Sequence, residues 1–198
     1  MKTILIIEDD EFLRAILYDF LLLQGFNVVA AENGNIGLNL ATELYPNLII
    51  ADVNLPDIDG YKIIRQVKAN LKTSNIPFIL MTSETDPNHR AYAFELGAND
   101  YLVKPFQFKD FMQVIETQFQ NHPFSLSSPL ADNSHFNSLP PLQHTYTSLK
   151  SKPEKGKSLK DIQKLSQQMN SIFNLENNGK ISPEQAYEQI RVLWQQFH

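Results

Sequence analysis

Short apolar runs alternate with amphipathic stretches through residues 1–122. Ile4 to Ile7 reads as a buried strand, and Phe12 to Leu23 follows with helical spacing until Gly25 stops it. Val28 to Ala30 gives a second strand, and Ile36 to Tyr45 a helix ended by Pro46. Leu48 to Ala51 is a third strand, followed by a helix over Tyr61 to Leu71. Phe78 to Met81 is a fourth strand, and Asn88 to Leu96 is a helix closed by Gly97. Tyr101 to Val103 is a fifth strand, and Phe108 to Phe119 the last helix of this part. The strands are apolar on both faces, as strands are when helices cover a parallel sheet. Strict alternation of strand and helix predicts an α/β fold with a doubly wound five-stranded parallel sheet. In such sheets a ligand sits beyond the carboxyl ends of the strands.

The pattern then changes. Residues 123–157 are rich in Ser, Pro, Asn and His and read as a flexible linker. Helical spacing returns at Leu159, Ile162, Leu165, Met169, Ile172 and Phe173. Asn177-Asn178-Gly179 is a turn. Ser182, Pro183 and Gln185 form a helix start with a capping box, and Ala186, Ile190, Leu193 and Phe197 line the helix that follows. The expected division is a domain over 1–122, a linker over 123–157 and a helical hairpin tail over 158–198.

Charge sharpens this division. Residues 1–122 carry 9 Lys/Arg against 16 Asp/Glu, while residues 123–198 carry 8 against 6. The first part is therefore a poor binder of nucleic acid, which relies on phosphate neutralisation. The chain has no cysteine, so disulfides, thiol catalysis and cysteine-ligated zinc are excluded. No apolar run is long enough to span a bilayer, and the acids at Glu8 to Glu11 break the layout of a secretory signal. A cytoplasmic place with no membrane contact is expected.

Chemistry gathers where the strands end. The first strand runs into Glu8-Asp9-Asp10, the third ends at Asp52, the fourth at Thr82 and the fifth at Lys104-Pro105. Asp9, Asp10 and Asp52 at one edge would repel each other unless a divalent cation relieved them. Oxygen-only ligation favours magnesium, which also accepts a phosphate oxygen. Lys104 would supply a point charge to a phosphate and Thr82 a hydroxyl donor. A carboxylate that becomes an acyl phosphate is a known nucleophile. Singly, Asp9 or Asp10 reads as a helix cap, Asp52 as a turn residue, and Thr82 or Lys104 as nothing in particular. The joint pattern has no packing rationale.

Four segments carry a resemblance: Ile6 to Asp10, Asp52 to Gly60, Met81-Thr82-Ser83 and Gly97 to Phe106. In this order and spacing, residues 1–121 resemble the receiver domain of two-component response regulators. The resemblance implies a flavodoxin-like sheet of order 2-1-3-4-5 and a cis Lys104-Pro105 bond. It implies that Asp52 accepts a phosphoryl group from a sensor histidine kinase or phosphotransfer protein. Asp9, Asp10, Asp52 and the main-chain carbonyl of Asn54 would hold Mg2+. Thr82 and Lys104 would sense the phosphate, and Tyr101 would rotate inward on activation. Glu84 and Asn54 sit where the family tunes dephosphorylation, and the small Ser83 leaves the phosphate room. No enzymatic activity is implied beyond self-catalysed phosphorylation and dephosphorylation of Asp52.

The tail is too small to hold a core alone. It could pack on the first domain, pair with another copy, or dock on an output protein. The alternative is a transcription regulator whose tail contacts DNA. The lysines at 150, 152, 155, 157 and 160 would serve that, but Glu154 and Asp161 interrupt them and no aromatics interleave. Asn174 to Gln185 mimics a calcium loop without its bidentate glutamate, which argues for a plain turn. The five histidines, at 89, 122, 135, 144 and 198, lack ligand spacing.

Overall fold

The computed structural model describes residues 1–121 and 159–197. The expected linker, its lysines and His122, His135, His144 and His198 lie outside the described residues. Twelve elements follow in chain order: β1 (Thr3–Ile7), α1 (Glu11–Leu23), β2 (Asn27–Ala31), α2 (Gly34–Leu44), β3 (Leu48–Asp52) and α3 (Gly60–Ala69). Then come β4 (Phe78–Thr82), α4 (Pro87–Glu95), β5 (Asp100–Val103), α5 (Phe108–Asn121), α6 (Leu159–Asn177) and α7 (Pro183–Phe197). The five strands form one parallel sheet in the order β2-β1-β3-β4-β5. This is the doubly wound fold that the alternation predicts.

The period of two along a strand sorts the core into two layers. Ile4 and Ile6 face a cluster with Leu17 and Phe20 of α1 and Phe111 and Ile115 of α5. Leu5 and Ile7 face the other side, against Leu40 and Ala41 of α2 and Ile63 and Val67 of α3. Four helices start at the carboxyl edge with a side-chain cap: Asp10, Asn33, Asp59 and Asp86 accept from the main-chain N–H groups of Leu13, Ile36, Lys62 and Asn88. Each cap satisfies an otherwise orphaned donor.

The tail is the expected hairpin. Its turn contains Gly179 at φ +67, and the Ser182–Gln185 capping box is formed in both directions, at 3.3 and 2.9 Å. The stretch that mimics a calcium loop runs from the end of α6 through the turn into α7, and Asn178 bonds back to the Asn174 carbonyl. Of the roles open to the tail, the structure shows the first. Met169, Phe173, Ile190 and Leu193 are buried in the same cluster as α1 and α5. Phe173 meets Phe20 edge-on at 4.8 Å and Phe108 at 4.3 Å between ring centroids.

One acid on α1 opposes folding. Burial alone pushes the Asp19 carboxyl from 3.8 up to about 6. An acid with a raised folded pKa penalises the native state progressively as pH climbs from the unfolded to the folded value, and by a constant amount above it. Asp19→Asn is therefore expected to add about 2 kcal/mol of stability near about pH 7.5 and almost none near about pH 3.5. Urea unfolding at the two pH values checks this; an equal gain at both would show that charge is not the cause.

Candidate functional site

The acidic edge forms because four parallel strands, β1, β3, β4 and β5, end there in register. Ile7 is paired with Ala51, Asp52 with Met81, and Thr82 with Val103. The ladder continues past the strand ends: Glu8 N–H donates to the Ala31 carbonyl at 3.0 Å, and Lys104 N–H to the Thr82 carbonyl at 2.6 Å. The Lys104–Pro105 peptide is cis. These ties bring Glu8, Asp52 and Lys104 together from residues far apart in the chain.

Glu8, Asp9 and Asp52 each offer an oxygen within 4.8 Å of the others. This grouping differs from the expected one. Asp10 is not in this group; its Oδ1 accepts the Leu13 N–H at 2.8 Å as the N-cap of α1. Asp10 is thus seen in the capping role that its position also suggested. Its place is taken by Glu8, which is 1% exposed and which the sequence reading left without a role.

Lys104 bridges the pair of buried acids. Its Nζ lies 2.7 Å from Glu8 Oε2 and 2.9 Å from Asp52 Oδ2. Burial would lower the ammonium's pKa, but Glu8 and then Asp52 outweigh it and hold the proton on. Glu8 itself is pushed up to about 7, chiefly by burial, with Lys104 opposing and Asp52 adding to the rise. Asp52 is 6% exposed, and its Oδ1 is buried without a hydrogen-bond partner. An orphaned carboxylate oxygen among all-oxygen donors is what a hard divalent cation satisfies. The residues present fit magnesium.

Arg14 on α1 was also missed. It is buried, and its Nη1 donates to the Glu8 carbonyl at 2.7 Å and the Asp9 carbonyl at 3.0 Å. Its spacing from the acids, one turn into the helix, was the available signal. Asp57 ties the β3–α3 loop to α2 by accepting from Gly34 N–H at 2.9 Å and Asn35 N–H at 2.8 Å.

Of the remaining predicted residues, Asn54 lies exposed in that same loop. Thr82 is fully buried, and its Oγ1 accepts from Glu84 N–H at 3.1 Å. Tyr101 is buried as well, with its hydroxyl 3.5 Å from the Glu84 carbonyl. The ring therefore already occupies an inward position in this structure, where the expectation had it move there. Both side chains converge on the backbone of Glu84, whose carboxylate meets His89 Nδ1.

Gly60 lets α3 start directly beneath the site. A Cβ there would stand 2.5 Å from the Asp52 carbonyl oxygen and 2.9 Å from Val53 Cα. Because the obstacle is backbone, Gly60→Ala is expected to destabilise by about 2 kcal/mol. Urea unfolding measures it; an unchanged midpoint would mean that α3 shifts freely.

The comparisons with known proteins fall on both parts of the chain. Residues 152–198 match a family of unknown function, DUF7219. Among curated proteins, the transcriptional regulatory protein AfsQ1 of Streptomyces coelicolor is 41% identical over 107 residues, which is 54% of this chain and 46% of AfsQ1. Histidine kinase P4 of Formosa agariphila is 39% identical over 120 residues, 61% of this chain and 9% of the kinase. The chain thus spans less than half the length of either. Among solved structures, the signal receiver domain of a signal transduction histidine kinase from Syntrophus aciditrophicus superposes with a TM-score of 0.60 at 29% identity, over 67% of this chain and 100% of that one. The response regulator receiver domain family matches residues 4–116. With its parallel sheet in the order 2-1-3-4-5 and the acids and lysine gathered at its carboxyl edge, the chain belongs to the response regulator receiver domain family.

Proposed function

We propose that this chain is a phosphoryl-accepting response regulator. It takes its phosphoryl group on Asp52 from a sensor histidine kinase or phosphotransfer protein and signals through protein contacts. The observation that carries the reading is the state of Asp52: one oxygen is held by Lys104 while Oδ1 is left unpartnered inside the acidic site. In the transfer, an Asp52 carboxylate oxygen forms a bond to phosphorus as the P–N bond of a phosphohistidine breaks. The electron pair of that bond leaves with the imidazole. Glu8, Asp9 and Asp52, with the main-chain carbonyl of Asn54, would hold magnesium, which offsets the charge on the phosphoryl oxygens. Lys104 orients Asp52 and then follows the charge to the phosphoryl group. Thr82 gives up its bond from Glu84 to donate its hydroxyl to a phosphoryl oxygen. Tyr101, held at the same backbone, reports the exchange to α4 as a shift between two packings.

The receiver spans 1–122, the linker 123–157 and the tail 158–198 in this reading. The chain acts in the cytoplasm, and catalysis is limited to gain and loss of the Asp52 phosphoryl group. No helix among the described residues is long and apolar enough to cross a membrane. The described side chains of the hairpin favour protein contact over DNA contact. Its apolar face is turned onto the receiver, and Lys180 and Arg191 are offset by Glu184 and Glu188.

Phosphotransfer from acetyl phosphate with Mg2+ tests the proposal. The native chain is expected to gain one phosphoryl group by intact mass, and Asp52→Ala none. Equal labelling of both chains would remove Asp52 from the role.

A further inference from the structure

The hairpin does more than cover apolar surface. Glu176, near the end of α6, is 1% exposed, yet it carries a carboxylate. Its Oε2 accepts the N–H of Phe108, the first residue of α5, at 3.4 Å. Its Oε1 is buried with no partner. A carboxylate at a helix start is favoured by the free N–H groups there. A long bond and an unsatisfied oxygen make the seat shallow, because a buried charge must be fully paired to be stable.

That seat is four residues along the chain from Lys104, which holds Asp52. Lys104 holds Glu8 and Asp52 by its side chain and Thr82 by its main chain. Phe106 then enters the core and stacks on Phe111 at 5.3 Å, and Phe108 packs between Phe20, Phe173 and Tyr187. The short segment 104–108 thus has the acids at one end and the tail at the other. Tyr187 of α7 stacks on Phe108 at 5.8 Å, and its hydroxyl pKa is pushed up chiefly by burial and then by the charges of Glu8, Glu176 and Asp10. The hairpin reaches the acidic edge of the sheet.

We propose that the α6–α7 hairpin is a phosphorylation-released cap, seated on α1 and α5 while Asp52 is unmodified and let go when Asp52 carries a phosphoryl group. This rests on Asp52 being the phosphoacceptor. A phosphoryl group brings up to about two negative charges and new acceptor oxygens. It draws Lys104 away from Glu8 and so moves the segment that presents Phe108 N–H. Glu176 then loses its bond to Phe108 N–H and is left as a buried acid that water solvates better than the receiver does. Added negative charge at the acidic edge works in the same direction. The hairpin's release uncovers Phe20 and Phe108 on the receiver and Phe173, Ile190 and Leu193 on the tail, two apolar surfaces for an output protein. By linkage, a docked hairpin opposes Asp52 phosphorylation by the same factor by which phosphorylation opposes docking.

Hydrogen exchange on the full chain tests this, with phosphorylation counted by intact mass in the same sample. After acetyl phosphate and Mg2+, exchange in α6 and α7 is expected to rise about 10-fold, in the usual range of such coupling. Asp52→Ala treated alike should show no rise. Glu176→Lys, which puts a cation against the α5 N-terminus, should exchange fast in the hairpin before and after treatment while β1–β5 stay protected. A fully phosphorylated chain whose hairpin exchanges as slowly as before overturns the cap and leaves the receiver reading intact. A chain that takes no phosphoryl group overturns both. A Glu176→Lys hairpin as protected as the native one removes Glu176 as the seat.

Discussion

Lys104→Met is expected to lower stability in EDTA by about 2 kcal/mol, to make that loss recoverable with Mg2+, and to slow phosphoryl acceptance about 100-fold. The ammonium stands 2.7 Å from Glu8 Oε2 and 2.9 Å from Asp52 Oδ2. Methionine keeps most of the side chain's length and volume, so packing is little disturbed. What disappears is the cation between two buried carboxylates. Breaking a fully buried pair costs about 3–5 kcal/mol because the survivor is left charged and unpaired. Two features here reduce that figure. The Lys104 side chain is 18% exposed, and Glu8, already pushed up to about 7, takes up a proton readily. A divalent cation offers the acids the same relief, so Mg2+ should stabilise the variant more than the native chain. The transfer rate falls because one preorganised charge no longer faces the phosphoryl group. Urea unfolding with EDTA and with Mg2+, beside labelling by acetyl phosphate, reads all three effects. Native stability in EDTA would show that Lys104 does not hold the two acids together.

The sequence and the structure agree where one physical rule dominates. Runs such as Ile4 to Ile7 and Phe78 to Met81 are apolar at every position, and only a sheet covered on both faces uses them. Once the strands are known to be parallel, Asp52, Thr82 and Lys104 must share an edge. The order of the strands came from resemblance, because alternation does not order them. The acids after β1 group otherwise than expected for a local reason. Three carboxylates in succession have the same composition, and only geometry separates the one that extends the β1 ladder from the one that caps α1. Continuing the strand's alternation through Ile6 to Glu8 would have favoured Glu8 as an inward acid. Arg14 acts on main-chain carbonyls, so its spacing from the acids was its only mark in the sequence. In the tail, the Ser182–Gln185 box and the turn at Gly179 were legible because caps are local. The docking was not: an apolar stripe says that a helix buries a face and is silent on what covers it. Glu176 figured in the sequence only inside the stretch that mimics a calcium loop.

Phe173→Ala is expected to detach the hairpin rather than weaken the whole molecule. The ring is 4% exposed and packs on Phe20 and Phe108 at 4.8 and 4.3 Å. In an ordinary core, removing such a ring costs about 3–5 kcal/mol, because the cavity stays. Here the chain has a cheaper alternative to keeping the cavity. The hairpin can leave, and the loss is then capped at its docking free energy. Once free, helices of 19 and 15 residues have little reason to persist, since isolated helices of this length are marginal in water. Amide exchange across α6 and α7 should therefore rise by about 100-fold or more, as for a segment whose local opening has become easy. The strands β1 to β5 rest on Ile4, Ile50, Ile79 and their neighbours, which the hairpin does not supply. Their protection should fall by no more than about 10-fold, the share owed to newly exposed Phe20 and Phe108. Exchange by mass spectrometry separates the two regions within one sample. A variant whose hairpin stays protected while β1 to β5 lose the full 3–5 kcal/mol of a core cavity would make the tail an integral part of the receiver core. A cap that phosphorylation releases requires the opposite: the contacts that hold α6 and α7 must be separable from those that hold the sheet.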